Sequence, residues 1–214
     1  MKMNVSIVIP AYNEATRISD VIHASLAYAD EVIVVDDAST DGTAQVAEQA
    51  GARVIRQTKA GYLAAIKRGF ASASGEIVVT LDADGEHDPV YIPALITPIL
   101  DGQADVVLGY RASISRPSEQ FLNWVTNLAV RVRDSGTGMR ALKTDLARKL
   151  GLQGKCTCGI FVLEAAYHGA RIIEVPIRLR RIDKPRRPAW YHLRQVVYVV
   201  RWLVNLKLKK GKVA

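Results

Sequence analysis

Apolar and polar positions in the first hundred residues fall into alternating blocks of two kinds. Short runs rich in β-branched and aliphatic residues at 5–9, 32–35, 53–56, 77–81 and 105–109 have the length and composition of buried strands. The stretches between them carry helical spacing. Ile18, Val21, Ile22 and Leu26 share one side of a helix over 16–29, a second helix over 43–50 stops at Gly51, and a third over 60–74 stops at Gly75. Asp88-Pro89 places proline at the first helical position, and Ile92, Leu95, Ile96 and Ile99 follow at i, i+3, i+4, i+7 before Gly102. This alternation predicts an α/β fold with a mostly parallel sheet and helices on both faces.

The second half is less regular. A helix is expected over 119–133, a glycine-rich loop over 134–140, a helix over 161–168 and a strand over 172–177 with Pro176 near its end. Pro185 and Pro188, among Arg186 and Arg187, mark a basic loop before a final helix over 192–208. The 214 residues fit one domain with ample material for a core.

Charge changes this picture once it is divided along the chain. Residues 178–214 hold 12 Lys and Arg against one acid, Asp183, whereas residues 1–177 hold 17 bases against 20 acids. The whole basic excess lies in the tail, which points to a polyanionic partner: an anionic membrane surface or a nucleic acid. No run reaches the roughly 18–20 apolar residues of a membrane span, and Met1-Lys2-Met3-Asn4 leads into a strand without a secretory pattern. The chain is therefore expected inside the cell. Cys156 and Cys158 form a lone C-x-C with no second pair to complete a zinc site, and are read as reduced thiols.

Polar residues gather directly after the strands. They are Pro10-Ala11-Tyr12-Asn13-Glu14, Asp36-Asp37-Ala38-Ser39-Thr40-Asp41-Gly42-Thr43, Asp82-Ala83-Asp84-Gly85-Glu86-His87-Asp88-Pro89 and Gly109-Tyr110-Arg111. In a parallel sheet these ends share one edge, where open α/β sheets bind ligands. Asp82 and Asp84, two apart in extended chain, aim the same way. Paired carboxylates repel unless a cation or proton sits between them, and a divalent cation shared with a diphosphate satisfies both. Neither G-x-x-x-x-G-K-[ST] nor a G-x-G-x-x-G after a strand is present, which disfavours a P-loop enzyme and a Rossmann dehydrogenase.

These segments, in this order, closely resemble the family 2 glycosyltransferases. The resemblance is carried by Ile9 to Glu14, Val34 to Thr43, Asp82-Ala83-Asp84, Asp134 through Thr137-Gly138-Met139-Arg140, and Glu174-Val175-Pro176-Ile177, and it covers roughly residues 4–182. Within the family the chain looks most like the dolichol-phosphate mannose synthases and related polyprenyl-phosphate glycosyltransferases. The resemblance implies a GT-A catalytic domain over 1–182, followed over 183–214 by the basic loop, an amphipathic helix and a Lys-rich tail. It implies an inverting, metal-dependent transfer of mannose or glucose from GDP-mannose or UDP-glucose. By the same resemblance Pro10, Tyr12, Glu14, Val35, Asp37 and Ala83 hold the nucleotide-sugar. Asp82 contacts the donor and shares in the metal site, Asp84 and Glu86 hold Mg²⁺ or Mn²⁺, and Arg111 meets phosphate. Glu86 stands where the family usually has Gln, and Met139 where it has Phe.

A phosphate acceptor is already ionised near neutral pH and needs positioning cations, whereas a sugar hydroxyl needs a general base. The basic tail favours polyprenyl phosphate. A glycan hydroxyl, with Asp134 as base, is the alternative. Arg201-Trp202 lies too far from Gln195 for the Q-x-x-R-W of processive synthases. A basic nucleic-acid-binding module would leave the acidic loops unexplained, so no nucleic-acid partner is expected. Leu193, Val196, Val197, Val200, Leu203 and Val204 make an apolar stripe on the final helix, with Trp190, Tyr191, Tyr198 and Trp202 beside it and Lys207, Lys209, Lys210 and Lys212 after it. Such a helix either lies on a membrane interface or packs on the domain. The expected location is peripheral, at the cytoplasmic face of a membrane, with a membrane-protein partner as an added anchor.

Overall fold

The apolar runs at 5–9, 32–35 and 77–81 become strands whose side chains are buried on both faces of one sheet, whereas the edge run at 53–56 is only partly buried. The computed structural model describes residues 4–114, 116–182 and 190–211. The strands are β1 (Val5–Ala11), β2 (Glu31–Asp36), β3 (Arg53–Arg56), β4 (Ile77–Thr80), β5 (Val106–Arg111), β6 (Arg140–Lys143) and β7 (Ile172–Ile177). The helices are α1 (Ile18–Leu26), α2 (Thr43–Gln49), α3 (Tyr62–Ser72), α4 (Ile92–Leu100), α5 (Pro117–Asn127), α6 (Thr144–Ala147), α7 (Ile160–Tyr167) and α8 (Trp190–Gly211). Pro89–Tyr91 is a single 3-10 turn, capped by the Asp88 side chain, which accepts from Val90 N–H.

The sheet order is β3-β2-β1-β4-β6-β5-β7. All neighbours are parallel except β6, which runs against both β4 and β5. The expected mostly parallel sheet is therefore present, with one reversed strand that the pattern did not announce. Residues 134–140, expected as loop throughout, end in the first residue of β6. Arg140 pairs with Thr80 on one side and Leu108 on the other. The reversal brings the start of β6 to the same edge as the ends of β4 and β5. The helix expected over 119–133 ends at Asn127, where the Asn127 side chain accepts from Val132 N–H and donates to Val132 C=O, turning the chain.

Alternation along each strand feeds two core layers. Ile7, Ile9, Val34, Ile77 and Val79 pack with α1 and α4, while Val8, Ile33, Val35, Val78 and Leu108 pack with α3 and α7. A third cluster joins α5, α7 and α8 through Leu122, Val125, Leu163, Val199, Leu203 and Leu206. The stripe expected on α8 is split by this packing: Leu203 is buried, whereas Val197, Val200 and Val204 are exposed. The side chains of Trp190, Tyr191 and Leu193 lie outside the described residues, as does the whole 183–189 basic loop.

Candidate active site

The strand order changes direction between β1 and β4, which opens a crevice at their carboxyl ends. The loop after β1 forms one wall. Tyr12 is half-exposed there, with the Lys59 ammonium over its ring. Asn13 sits in the left-handed region at φ 55° and Ala38, in the loop after β2, at φ 63°. The two loops are stapled together. Asn13 N–H donates to Ser39 Oγ and Thr40 N–H donates to Asn13 Oδ1, each at 2.9 Å. Backbone held in such conformations collects at functional sites. Glu14 N–H donates to Thr43 Oγ1 at 2.8 Å, and the Glu14 carboxylate meets Arg17 at 3.4 Å.

Several residues expected at the nucleotide are engaged elsewhere. Asp37 is buried and accepts from Ala60 N–H, Gln57 Nε2 and Gly61 N–H, with Lys59 at 3.8 Å. Burial alone would raise its carboxyl, but these donors outweigh it and hold the group below the usual carboxylate range. Asp37 thus ties the loop before α3 to the end of β2. Pro10, Val35 and Ala83 are buried. The Val35 and Ala83 side chains belong to the core, so what these three offer a ligand is main chain.

The loop after β4 forms the opposite wall. Asp82 Oδ1 accepts from Tyr62 Oη at 3.0 Å, and Asp82 Oδ2 lies 3.5 Å from His87 Nδ1. Burial and the nearby Asp82 carboxylate push the Tyr62 phenol well above its usual range. A Cβ on Gly138 would stand 2.5 Å from Asp82 Oδ2 and 2.7 Å from His87 Cε1, so any larger residue here would displace one or both of those side chains. Asp84 Oδ1 accepts from Glu86 N–H at 3.0 Å across Gly85, whose φ is 80°. Chain leaving β7 crosses this loop. Leu179 bridges His87, Arg180 N–H donates to Glu86 C=O at 2.8 Å, and the Arg180 guanidinium pairs with Asp88 at 2.7 Å. The first arginines of the basic segment therefore start beside the acidic loop, and Arg180 has a defined partner that sequence spacing did not identify.

Arg111, at the end of β5, is held from two sides. Asp134 takes its fork in a bidentate pair at 2.6 and 2.9 Å, and Glu119 of α5 accepts at 3.1 Å. Burial of the guanidinium opposes its charge, but the two carboxylates outweigh burial and keep it protonated. Asp134 is fully buried. Burial would raise its carboxyl, yet Arg111 and the N–H of Gly136 hold it low. Asp134 is thus a buried, bidentate partner of Arg111. Glu174 of β7 accepts from the N–H groups of Arg133 and Asp134 and so fixes the loop that carries Asp134.

The comparison with known families decides what this edge belongs to. The model for "Glycosyl transferase family 2" matches residues 6–160. The chain belongs to that family. Over 151 residues it is 38% identical to the undecaprenyl-phosphate 4-deoxy-4-formamido-L-arabinose transferase of Pseudomonas fluorescens, a match covering 63% of this chain and 43% of that protein. Over 230 residues it is 29% identical to the dolichol-phosphate mannosyltransferase of Pyrococcus furiosus, covering 94% and 64%. The chain thus spans less than two thirds of the length of either relative. Among solved structures, glucosyl-3-phosphoglycerate synthase from Mycobacterium tuberculosis with Mn²⁺, UDP-glucose and phosphoglyceric acid aligns with a TM-score of 0.76. That alignment has 24% identity and covers 95% of this chain and 79% of the other. The likeness is one of fold, and the fold is GT-A.

For a family 2 chain the metal question turns on donor chemistry. Among the described residues, no three His, Cys, Asp or Glu side chains stand together as a ready cage. The expected trio Asp82, Asp84 and Glu86 is thus not preassembled. Mg²⁺ is usually held by one or two carboxylates together with substrate phosphates and waters. The hard oxygens of Asp84 and Glu86, on one tight turn beside Asp82, fit that pattern, with Glu86 in place of the usual Gln adding charge. Cys156 and Cys158 are not joined in a disulfide.

Three residues of this edge have no sequence signal of their own, Tyr62, His87 as a partner of Asp82, and Glu119, and Arg140 has no assigned role. Arg140 is wholly buried, with its guanidinium 4.4 Å over the Phe161 ring. It donates to Thr157 Oγ1 at 2.7 Å, and its Nε and Nη1 have no hydrogen-bond partner among the described residues. Its place in the Gly138-Met139-Arg140 segment was the available clue.

Proposed function

We propose that this chain transfers a hexose, mannose or glucose, from GDP-mannose or UDP-glucose to a polyprenyl phosphate, with inversion at the anomeric carbon. Family membership and the names of the two sequence relatives, both polyprenyl-phosphate sugar transferases, support the reaction class. The observation that carries the acceptor is the commitment of Asp134 to Arg111. A hydroxyl acceptor needs a base, and the acid nominated for that task is buried and paired. A phosphate acceptor needs a cation held in place, which is what Asp134 and Glu119 make of Arg111.

In this reading Tyr12 and Glu14 line the nucleotide side of the crevice, with the main chain at Pro10, Val35 and Ala83, and Asp37 supports the loop beneath. Asp82, oriented by Tyr62 and His87, faces the donor sugar and diphosphate. Asp84 and Glu86 would hold Mg²⁺ or Mn²⁺, which supplies Lewis-acid stabilisation to the departing nucleoside diphosphate. Arg111 orients the acceptor phosphate for in-line attack, and the basic segment that starts at Arg178 adds positive potential. No helix among the described residues is long and apolar enough to cross a membrane, and we place the chain peripherally at the cytoplasmic face.

Incubation with radiolabelled GDP-mannose or UDP-glucose, polyprenyl phosphate and Mg²⁺ or Mn²⁺ tests the proposal. Label should enter the lipid phase only with metal, and Asp84→Ala should abolish it. Transfer to a soluble glycan instead, or donor hydrolysis alone, would refute the lipid acceptor.

A further inference from the structure

Helices α5 and α8 pack side by side through Leu122 and Val125 of one and Val199, Leu203 and Leu206 of the other. A helix on a soluble domain normally buries one apolar stripe and shows a polar one. Here each helix carries a second apolar stripe facing solvent. On α5 and its C-terminal cap, Phe121, Trp124 and Leu128 recur at i, i+3, i+7 and are 49, 60 and 59% exposed. On α8, Val197, Val200, Val204 and Leu208 recur at i, i+3, i+7, i+11 and are exposed as well. The Phe121 and Trp124 rings lie 6.0 Å apart and form one aromatic block. Scattered exposed apolar residues are ordinary, but ordered stripes of this size mark an interaction surface.

Charge selects the occupant. Exposed Arg194 and Arg201 border the α8 stripe, and Lys209, Lys210 and Lys212 follow it in sequence. A second copy of this chain docked on the same face would bring like-charged rows together. An anionic headgroup layer neutralises them while its acyl boundary accepts the valines, and tryptophan prefers that depth.

We propose that α5 and α8 together form the seat of this chain on an anionic bilayer, with Phe121 and Trp124 inserted at headgroup depth. The seat and the site share a helix, because Glu119, two residues before Phe121, holds Arg111. Glu119 and Phe121 point to opposite sides of α5, so seating the helix leaves Arg111 one helix width, on the order of 10 Å, behind the surface from which a lipid phosphate arrives. That last link rests on the lipid-phosphate reading above; the seat itself does not.

The test uses the full chain with vesicles of phosphatidylcholine and phosphatidylglycerol at about 3:1. Wild type should sediment with them, and Phe121→Ser with Trp124→Ser should lower partitioning by about tenfold or more. Brominated lipid should quench the tryptophan fluorescence of bound wild type, and Trp124→Phe should remove at least about half of that quenching while binding persists. Unchanged binding of the double variant, or undiminished quenching in Trp124→Phe, overturns the seat. So does a wild-type dimer that dissociates in the double variant without vesicle binding. A short, water-soluble isoprenyl phosphate separates the two readings. The double variant should match wild type on it and fail only on vesicle-borne polyprenyl phosphate. If wild type transfers to neither acceptor the reaction proposal falls, and the vesicle measurements still judge the seat.

Discussion

Arg111 gains its value from what surrounds it. A lone arginine at a strand end would swing through solvent, whereas the bidentate grip of Asp134 fixes the fork and Glu119 fixes its tilt. Removing one partner of a buried pair leaves the other uncompensated, at a cost of about 3–5 kcal/mol. Asp134→Asn should therefore lower stability in urea by that order and reduce turnover more than donor affinity, as titration with the nucleoside diphosphate would show. Gly138→Ala acts differently. Its methyl would displace Asp82 and His87 rather than open a cavity, so turnover should fall at least about tenfold for a stability loss of only about 1–3 kcal/mol. Parallel melting and transfer measurements distinguish the two variants. The acids of this edge were legible because they follow apolar runs within a few positions. Tyr62, Glu119 and Arg140 were not, because each meets its partner 8 to 20 residues away through packing, a distance at which spacing carries no information.

Strands and helices fix where those residues stand. Four strands of the first half were legible from continuous apolar runs, β3 from its β-branched Val54-Ile55 pair between two helical stretches, and β7 from its Ile and Val residues. β6 was not, since Arg140-Ala141-Leu142-Lys143 is short and holds no β-branched residue, and only its neighbours make it a strand. The final helix was legible in extent but not in facing: apolar residues surround it, so periodicity could not choose the buried side. Helix α3 shows how closely an element can govern the site. Gly69 lies against β1 so tightly that a Cβ there would collide with the Val8 side chain. This close approach lets Tyr62, at the start of the same helix, reach Asp82. Gly69→Ala should push α3 outward, cost about 1–3 kcal/mol and weaken the Tyr62–Asp82 hydrogen bond. Chemical denaturation measures the first effect. A drop in turnover matching that of Tyr62→Phe measures the second.

Acid should unfold the molecule through carboxylates that its long-range connections depend on. Glu31 joins β1, β2, β3 and the turn before β4 by accepting from Ser6, from the Ser74 hydroxyl and N–H, and from Arg53. Partial burial works against its charge, but these donors prevail and lower it to about 2. The folded pKa lies below the unfolded value near 4.3, so the stabilisation is complete above about pH 5 and is lost as pH falls through about 2. With solvent screening it is on the order of 2 kcal/mol. Glu31→Gln should flatten the acid limb of a stability profile followed by circular dichroism and leave the neutral limb parallel to wild type. The reversed strand has a further consequence, for synthesis. β4 is complete at Thr80, yet the strand that pairs with it begins at Arg140, and the glycine that bounds Asp82 is Gly138. A nascent chain therefore carries Asp82 and Asp84 for more than fifty residues before their wall exists. Competence arrives late, when β6 returns to the edge, and no shorter N-terminal fragment can hold the same loop in the same shape.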